Sequence, residues 1–354
     1  MSCRPVRAAA LPPAAKTVVV TFGGGARDQE TFAAEGQQYI PRILAELIPQ
    51  ATFFTQVVNR GILGHYVATA SLATGNYETF NNFAPVSPHT PTIFEYYRRE
   101  RNRPATDAWV IAPSNGFNRI GESDHPGFGP GYGANVVLPK LLLSHAGKGG
   151  AARGQTDYER LLRDNYESPV QMPTGASSAA EIESMARLMQ LSLADFVAHA
   201  RTVASPDELS LYLTRHVMRQ LAPSLIWVTL HDIDVAHSGA FSLYTEAIVR
   251  SDRICAELWK TIGTEPEYKG RTNLFLLPDF GRDADGDAGG NGFQHHRTGD
   301  ALSRTTWMMA LGPNIRENVT VDRPVESIDL VPTLAHMLGC DARFSAGHLL
   351  REVL

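Results

Sequence analysis

Two adjacent segments indicate the fold class of this chain. They are Leu225-Ile-Trp-Val-Thr-Leu230 and, directly after it, His231-Asp-Ile-Asp-Val-Ala-His-Ser-Gly239. The first part is apolar or β-branched without alternation, which is typical of a strand buried on both faces of a parallel sheet. The second part brings imidazole and carboxylate groups to the end of that strand. Open α/β sheets bind ligands at the carboxyl ends of their strands, so this junction indicates both a fold class and a place for a site.

Similar apolar runs recur along the chain, at Thr17–Phe22, Ala51–Val58, Ala108–Ala112, Asn273–Leu277 and Thr305–Leu311. Between the runs lie helical patterns, at 36–48, 90–102, 178–200, 205–220, 242–262 and 326–338. The pattern at 205–220 begins with an N-cap serine and a proline at the first helical position. Strands that alternate with helices predict an α/β domain with a doubly wound, mostly parallel central sheet flanked by helices.

Residues 17–354 are predicted to form this domain, with a loop and helix insertion or cap at about 113–204, where glycine-rich loops interrupt the alternation. Residues 1–16 contain two arginines and a short apolar run broken by prolines. They predict a disordered arm, with a truncated export signal as the alternative. No apolar run is long enough for a transmembrane helix. We expect a soluble protein, cytoplasmic or exported with its signal missing from this chain.

Composition narrows the function classes. The 354 residues include 32 basic and 37 acidic side chains, a net charge of −5, which gives no overall electrostatic basis for binding nucleic acid or an anionic membrane. Cys3, Cys255 and Cys340 are far apart, so neither a disulfide framework nor a thiolate metal site is expected. A metal ion here must therefore be held by histidine and carboxylate. The sequence leaves the oligomeric state open.

A second polar segment follows another predicted strand. It runs from Leu277-Pro-Asp-Phe-Gly-Arg282 to Gln294-His-His-Arg297. Aspartate and neutral imidazole are ligands that hold zinc, and both segments are expected at the same edge of the sheet. Each of these residues also has a purely structural interpretation. Asp232 and Asp234 could cap the start of a helix, and His295 and His296 could belong to a solvated loop. Their concentration at strand ends favours a site.

The order of these segments resembles the alkaline phosphatase superfamily, which includes arylsulfatases, nucleotide phosphodiesterases and cofactor-independent phosphoglycerate mutases. The matching pieces are Thr17–Phe22, the stretch from His65 to Tyr77, the segment up to His237, Leu276–Gly281, His296, Leu311–Pro313 and Glu326–Gly339. The resemblance implies a two-metal site on the carboxyl edge of the sheet and a nucleophile that attacks phosphorus or sulfur.

The chain departs from that family at one metal position. Gly23 stands where the family places a metal-binding aspartate, with Asp28 as a substitute only if the loop folds back. His65 stands where the family has its serine, threonine or modifiable cysteine nucleophile, and Phe280 stands where it has a histidine ligand. These departures predict one ion rather than two.

The other metal position matches better. The resemblance implies His237, a third ligand from His296 or His295, and an aspartate four residues before His237, where Ile233 stands between Asp232 and Asp234. Asp279 is a further candidate ligand. The expected cofactor is a divalent metal, zinc first, with manganese or iron as alternatives.

Two functions follow as hypotheses. The first is a metal-dependent hydrolase of phosphate or sulfate esters, with a small anionic substrate, His65 as general base or transient phosphoryl acceptor, and Arg282 or Arg297 holding the anion. The second is a non-catalytic relative, a pseudoenzyme with a binding or structural role.

Overall fold

The computed structural model describes residues 16–82, 86–113, 117–128, 130–148, 159–162, 178–286, 289–297 and 299–354. Nine strands form one mixed sheet within these residues. The strands are β1 Lys16–Phe22, β2 Ala51–Val58, β3 Ala108–Ile111, β4 Asn135–Val137, β5 Leu225–Leu230, β6 Thr272–Pro278, β7 Thr305–Leu311, β8 Val319–Val321 and β9 Val325–Glu326.

The strand order is β4-β3-β5-β1-β6-β7-β2-β8, and β9 also pairs with β2. The strands from β4 to β6 run parallel, whereas β7 is antiparallel to both β6 and β2. In the centre, Phe22 of β1 lies opposite Leu230 of β5 and Pro278 of β6, so three neighbouring strands end at one edge. The predicted mostly parallel α/β sheet is confirmed.

Ten α-helices belong to the described residues: α1 His65–Thr74, α2 Ile93–Glu100, α3 Pro139–Lys148, α4 Glu159–Leu162, α5 Ala179–Leu188, α6 Leu193–Ala200, α7 Pro206–Leu221, α8 Phe241–Thr264, α9 Ala301–Arg304 and α10 Leu330–Leu338. Two large apolar clusters pack around the sheet. One contains Val18 and Val20 of β1, and the other contains Val19. Because side chains alternate across a strand, β1 is covered on both faces.

Several boundaries differ from the sequence prediction. The single helix expected at 178–200 is two helices, because Gln190 between them takes a left-handed backbone conformation with φ of 56°. The helix expected at 36–48 is a succession of 3-10 and π turns. Strand β4 lies inside the segment expected to be an insertion and extends the sheet beside β3. Much of 149–177, and the predicted arm before residue 16, lie outside the described residues.

None of the helices that the structure describes combines the length and apolarity needed to span a membrane.

Candidate metal centre

The candidate site lies where β5, β1 and β6 end together. Thr229 and Leu230 of β5 lead into His231, and Pro278 of β6 leads into Asp279. The side chains of His65, Asp234, His237 and His296 meet there, each contributing one nitrogen or oxygen atom, and these four atoms lie within 4.8 Å of one another.

A 3-10 segment, Asp232–Ser238, presents Asp234 and His237. With three residues per turn, positions i and i+3 lie on the same face. The Nε2 atom of His237 therefore reaches to 3.2 Å from Oδ1 of Asp234. A four-residue spacing, which the resemblance implies, suits an α-helix, and the tighter turn accounts for the shorter spacing here. Asp207 holds the start of the segment, since its carboxylate accepts from the amides of His231 and Asp232.

His65 is the first residue of α1, a helix that is buried along its whole length. Its Nδ1 atom donates to Oδ2 of Asp279 at 2.7 Å. The opposite ring nitrogen, Nε2, lies 2.9 Å from Oδ1 of Asp234. The angles there do not suit a hydrogen bond, so Nε2 is a buried atom without a hydrogen-bond partner. A buried ring nitrogen that lies close to a carboxylate oxygen without hydrogen-bond geometry, and that faces two further imidazoles, is typical of a ligand atom.

His296 completes the group from the loop before α9. Its Nδ1 atom donates to the carbonyl of Leu63 at 2.9 Å, which leaves Nε2 with its lone pair towards the cluster. The Nε2 atoms of His237 and His296 lie 2.9 Å apart. Three imidazole nitrogens and one carboxylate oxygen are a donor set that fits zinc.

The charges of the protein alone also favour a cation at this point. Burial lowers the pKa of His65, but the carboxylates of Asp234 and Asp279 outweigh it and raise that pKa to about 9. Burial opposes ionisation of Asp234, yet His65 and His237 hold its pKa well below the usual range. Burial, together with His65 and Arg282, lowers the pKa of His296 to about 2. In the absence of an ion, the cluster therefore contains an ionised Asp234, a neutral His296 and a protonated His65 at neutral pH, and a metal ion that binds Nε2 of His65 must displace its proton.

Solved structures with the same architecture span almost the whole chain. The phosphonate monoester hydrolase of Agrobacterium radiobacter aligns with a TM-score of 0.59 at 15% identity, over 95% of this chain and 76% of that one. The alkaline phosphatase PafA aligns with a TM-score of 0.57 at 11% identity, over 97% and 99%. The lipoteichoic acid synthase LtaP from Listeria monocytogenes aligns with a TM-score of 0.54 at 11% identity, over 95% and 74%.

The fold is that of the alkaline phosphatase superfamily. The resemblance seen in the order of sequence segments thus extends to the three-dimensional structure. No protein-family model matches the chain, and no curated protein matches it in sequence. At identities of 11–15%, these structural alignments show a shared fold and nothing more. The chemistry of the site has to be inferred from the residues of this chain.

Asp279 lies beside the cluster rather than in it. Its fully buried carboxylate accepts from His65 with one oxygen and from the amide of Phe280 with the other, at 3.0 Å. Phe280 stacks on His65 with ring centroids 4.7 Å apart. Two residues expected at the second metal position of an alkaline phosphatase-like site therefore hold the His65 ring.

The space for a further carboxylate after β1 is filled. A Cβ atom at Gly23 would lie 2.6 Å from Cγ2 of Thr229, and a Cβ atom at Gly24 would lie 2.4 Å from the amide nitrogen of Asp234. Asp28, the alternative carboxylate, is exposed on a 3-10 turn and is not a member of the cluster. No carboxylate from this loop joins the four residues.

Arg282 is engaged by the protein itself. Its guanidinium, which is fully buried, donates to the carbonyls of Gly24, Gly25 and Phe293 and to the carboxylate of Asp234. These acceptors engage the guanidinium within the protein, and its expected role in holding a substrate anion stays a prediction. Arg297 pairs with the buried Asp283 and is largely exposed.

Two other expected ligands lie outside the cluster. Asp232 pairs with Arg250 at 3.0 Å on the far side of the 3-10 segment, and His295 is exposed while its neighbour His296 turns inward. Neighbouring residues in an extended loop point in opposite directions, so only one of the histidine pair faces the site. Of the two pairs of alternatives, Asp232 or Asp234 and His295 or His296, the structure places Asp234 and His296 in the cluster.

Asn82 is a residue near the site that no sequence pattern singles out. Its Oδ1 atom accepts from the amides of Tyr66 at 3.0 Å and Val67 at 3.2 Å, at the start of α1. Free amides at a helix N-terminus are a common binding place for phosphate. Here the asparagine side chain uses two of them.

Proposed function

We propose that this protein binds one divalent metal ion, zinc first, through His65, Asp234, His237 and His296, and that it is a non-hydrolytic relative of the alkaline phosphatase superfamily enzymes. The observation that carries the proposal is the buried Nε2 atom of His65, which has no hydrogen-bond partner and faces the three other ligand atoms. When bound in a closed four-ligand site, zinc contributes folding free energy.

The absence of ester hydrolysis is inferred from how the surrounding groups are used. A catalytic zinc site keeps one position open, whereas four protein ligands fill a tetrahedral ion. The guanidinium of Arg282 and the first amides of α1 are both engaged by protein acceptors. An ester that entered this site would displace these internal hydrogen bonds without gaining free donors.

A hydrolase of phosphate or sulfate esters is the second candidate, and one observation favours it. The hydrogen bond from His65 Nδ1 to Asp279 is also the arrangement of a general base oriented by a carboxylate. In this alternative, Asp234, His237 and His296 hold the ion, and His65 takes a proton or a phosphoryl group at Nε2.

Metal analysis combined with an activity panel separates these functions. We expect about one equivalent of metal in the purified wild-type protein, much less in His237→Ala and His296→Ala, and the wild-type amount in His295→Ala, whose exposed ring serves as the matched control. No turnover is expected on aryl phosphate monoesters, diesters or sulfates. Turnover that disappears in His65→Ala establishes the hydrolase instead, and a wild-type protein without metal contradicts both.

A further inference from the structure

The orientation of the His65 ring is fixed on every side that the structure describes. Phe280 covers one face of the ring, with an angle of 20° between the two planes. The carboxylate of Asp279 accepts a hydrogen bond from Nδ1, and His65 is the first residue of α1, whose residues are all buried. The side chain is 11% exposed. The only ring nitrogen left to face the cluster is Nε2.

We infer that Asp279 is a positioning residue for the metal centre: it keeps the Nδ1 proton on His65 so that the lone pair of Nε2 points at the ion. This inference rests on the proposed function. A ligand histidine binds metal through one unprotonated nitrogen, and a carboxylate at the other nitrogen fixes that tautomer and makes the ligand more basic. Among the described residues, the carboxylate of Asp279 is hydrogen-bonded to no other side chain, and its second oxygen accepts from the amide of Phe280.

That backbone contact makes an asparagine substitution informative. The amide of Phe280 donates to Oδ1 of Asp279, so an asparagine in the same orientation keeps its oxygen on Phe280. Its NH₂ group then faces Nδ1 of His65, which must accept rather than donate. The proton moves to Nε2, and the ring presents N–H instead of a lone pair to the ion. The substitution changes the shape of the side chain little and reverses the tautomer.

The test uses the full chain loaded with cobalt(II), whose visible absorption reports coordination number. In the wild type we expect the intense bands of a four-coordinate ion. In Asp279→Asn we expect weaker bands of a five- or six-coordinate ion and a metal affinity lower by roughly 10- to 100-fold, the size of comparable effects. Asp107→Asn is the control, because Asp107 is also a buried carboxylate but lies at the opposite edge of the sheet, bound to Tyr97 and Ser224.

The outcomes separate this inference from the proposed function. If the wild type binds no cobalt, the proposed function and this inference both fail. If the wild type binds one ion and Asp279→Asn has the same spectrum and affinity, the inference fails alone. If Asp107→Asn also loses the four-coordinate spectrum and the metal affinity, the inference fails too, since a general loss of packing then explains the effect.

A second measurement needs no variant, in case Asp279→Asn does not fold. Nitrogen NMR of the zinc-loaded wild-type protein, with histidine labelled, should show His65 protonated at Nδ1 and metal-bound at Nε2. Binding through Nδ1, or a His65 ring that is not bound, overturns the inference.

Discussion

Gly24 lies where the backbone after β1 touches the backbone of the 3-10 segment. A Cβ atom there would be 2.4 Å from the amide nitrogen of Asp234 and 2.8 Å from the carbonyl carbon of Ile233. Both neighbours are backbone atoms, so a side chain must push the ligand segment away. The close approach explains why a glycine stands where the superfamily resemblance leads one to expect a carboxylate nearby.

Gly24→Ala is therefore expected to weaken metal binding and to lower the free energy of unfolding by roughly 1 to 3 kcal/mol. Calorimetric metal titration and urea unfolding measure the two effects. Gly263→Ala in α8 is the matched control, because a Cβ atom there meets nothing within 4 Å. Alanine in a helix interior is favourable, so that variant should be at least as stable as the wild type. Unchanged binding in Gly24→Ala would contradict the described contact.

Arg282 and Arg297 should differ sharply in their contribution to the free energy of unfolding. Arg282→Met leaves several carbonyls and the carboxylate of Asp234 without a buried donor, so we expect a loss of about 3 to 5 kcal/mol. Arg297→Met should cost less than about 1 kcal/mol, because that side chain is 57% exposed. Urea unfolding compares them, and equal effects would show that the internal role of Arg282 is misassigned.

The sequence predicted the group of residues from which the site is built, but not which member of each neighbouring pair faces the cluster. The family resemblance placed His65 at the position of the nucleophile, and strand-end position indicated His237 and Asp279. The choice between Asp232 and Asp234 depends on whether the following turn is 3-10 or α, and the choice between His295 and His296 depends on the path of a loop. Neither is encoded in residue type. Asn82 reaches α1 from a loop, and no local pattern marks it.

At the scale of elements, the strands were predicted best. Runs rich in apolar and β-branched residues identified β2, β5 and β7 with their observed boundaries. The short strands β4, β8 and β9 were missed, because two or three residues give no periodicity. The turn at Ile43–Leu47 was predicted as α-helix, yet it is a π turn that depends on a contact with α8.

That contact is made by Asp252 of α8, which accepts from the amide of Ile43 at 2.7 Å and from the amide of Arg42 at 3.2 Å. Burial raises the pKa of Asp252 to about 6. An acid with a raised folded-state pKa favours folding at low pH, and that contribution is lost as the pH rises from about 4 through 6.

Asp252→Asn keeps a carbonyl oxygen for Ile43 and removes the buried charge. We expect its stability relative to the wild type to increase by roughly 1 to 3 kcal/mol between pH 4 and pH 8, with most of the change below pH 7. Urea unfolding across that range measures the difference. A constant or falling difference would contradict the raised pKa.

At the scale of the whole molecule, the proposed ion joins segments that are distant in sequence. His65 begins α1, Asp234 and His237 follow β5, and His296 precedes α9. An ion bound only by the folded state stabilises it according to its concentration relative to the dissociation constant. The metal is thus expected to contribute to the stability of the entire sheet edge.

Removal of metal by a chelator should lower the melting temperature. Saturation at about 100 times the dissociation constant contributes about 2.7 kcal/mol, which corresponds to a shift of roughly 3 to 5 °C for a chain of this size. Differential scanning calorimetry with and without zinc measures it. His237→Ala should melt at the same temperature under both conditions, and an equal shift in that variant would assign the effect to ions bound elsewhere.

The predicted insertion at 113–204 and the arm at 1–16 remain predictions. Within the described residues, β4 pairs with β3 in the sheet and α3 packs against α5, α6 and α7, whereas the sequence suggested only a break in the alternation. The glycine-rich composition that indicated loops cannot distinguish a separate cap from an extension of the same domain.

Anomalous X-ray diffraction from zinc-loaded crystals, recorded on both sides of the zinc edge, tests whether the metal centre is closed and mononuclear. We expect one anomalous peak, bonded to His65 Nε2, Asp234, His237 and His296, with no water at bonding distance. Two peaks, a peak bonded to Asp279 with His65 turned away, or an ion with an open water position would contradict a closed mononuclear centre.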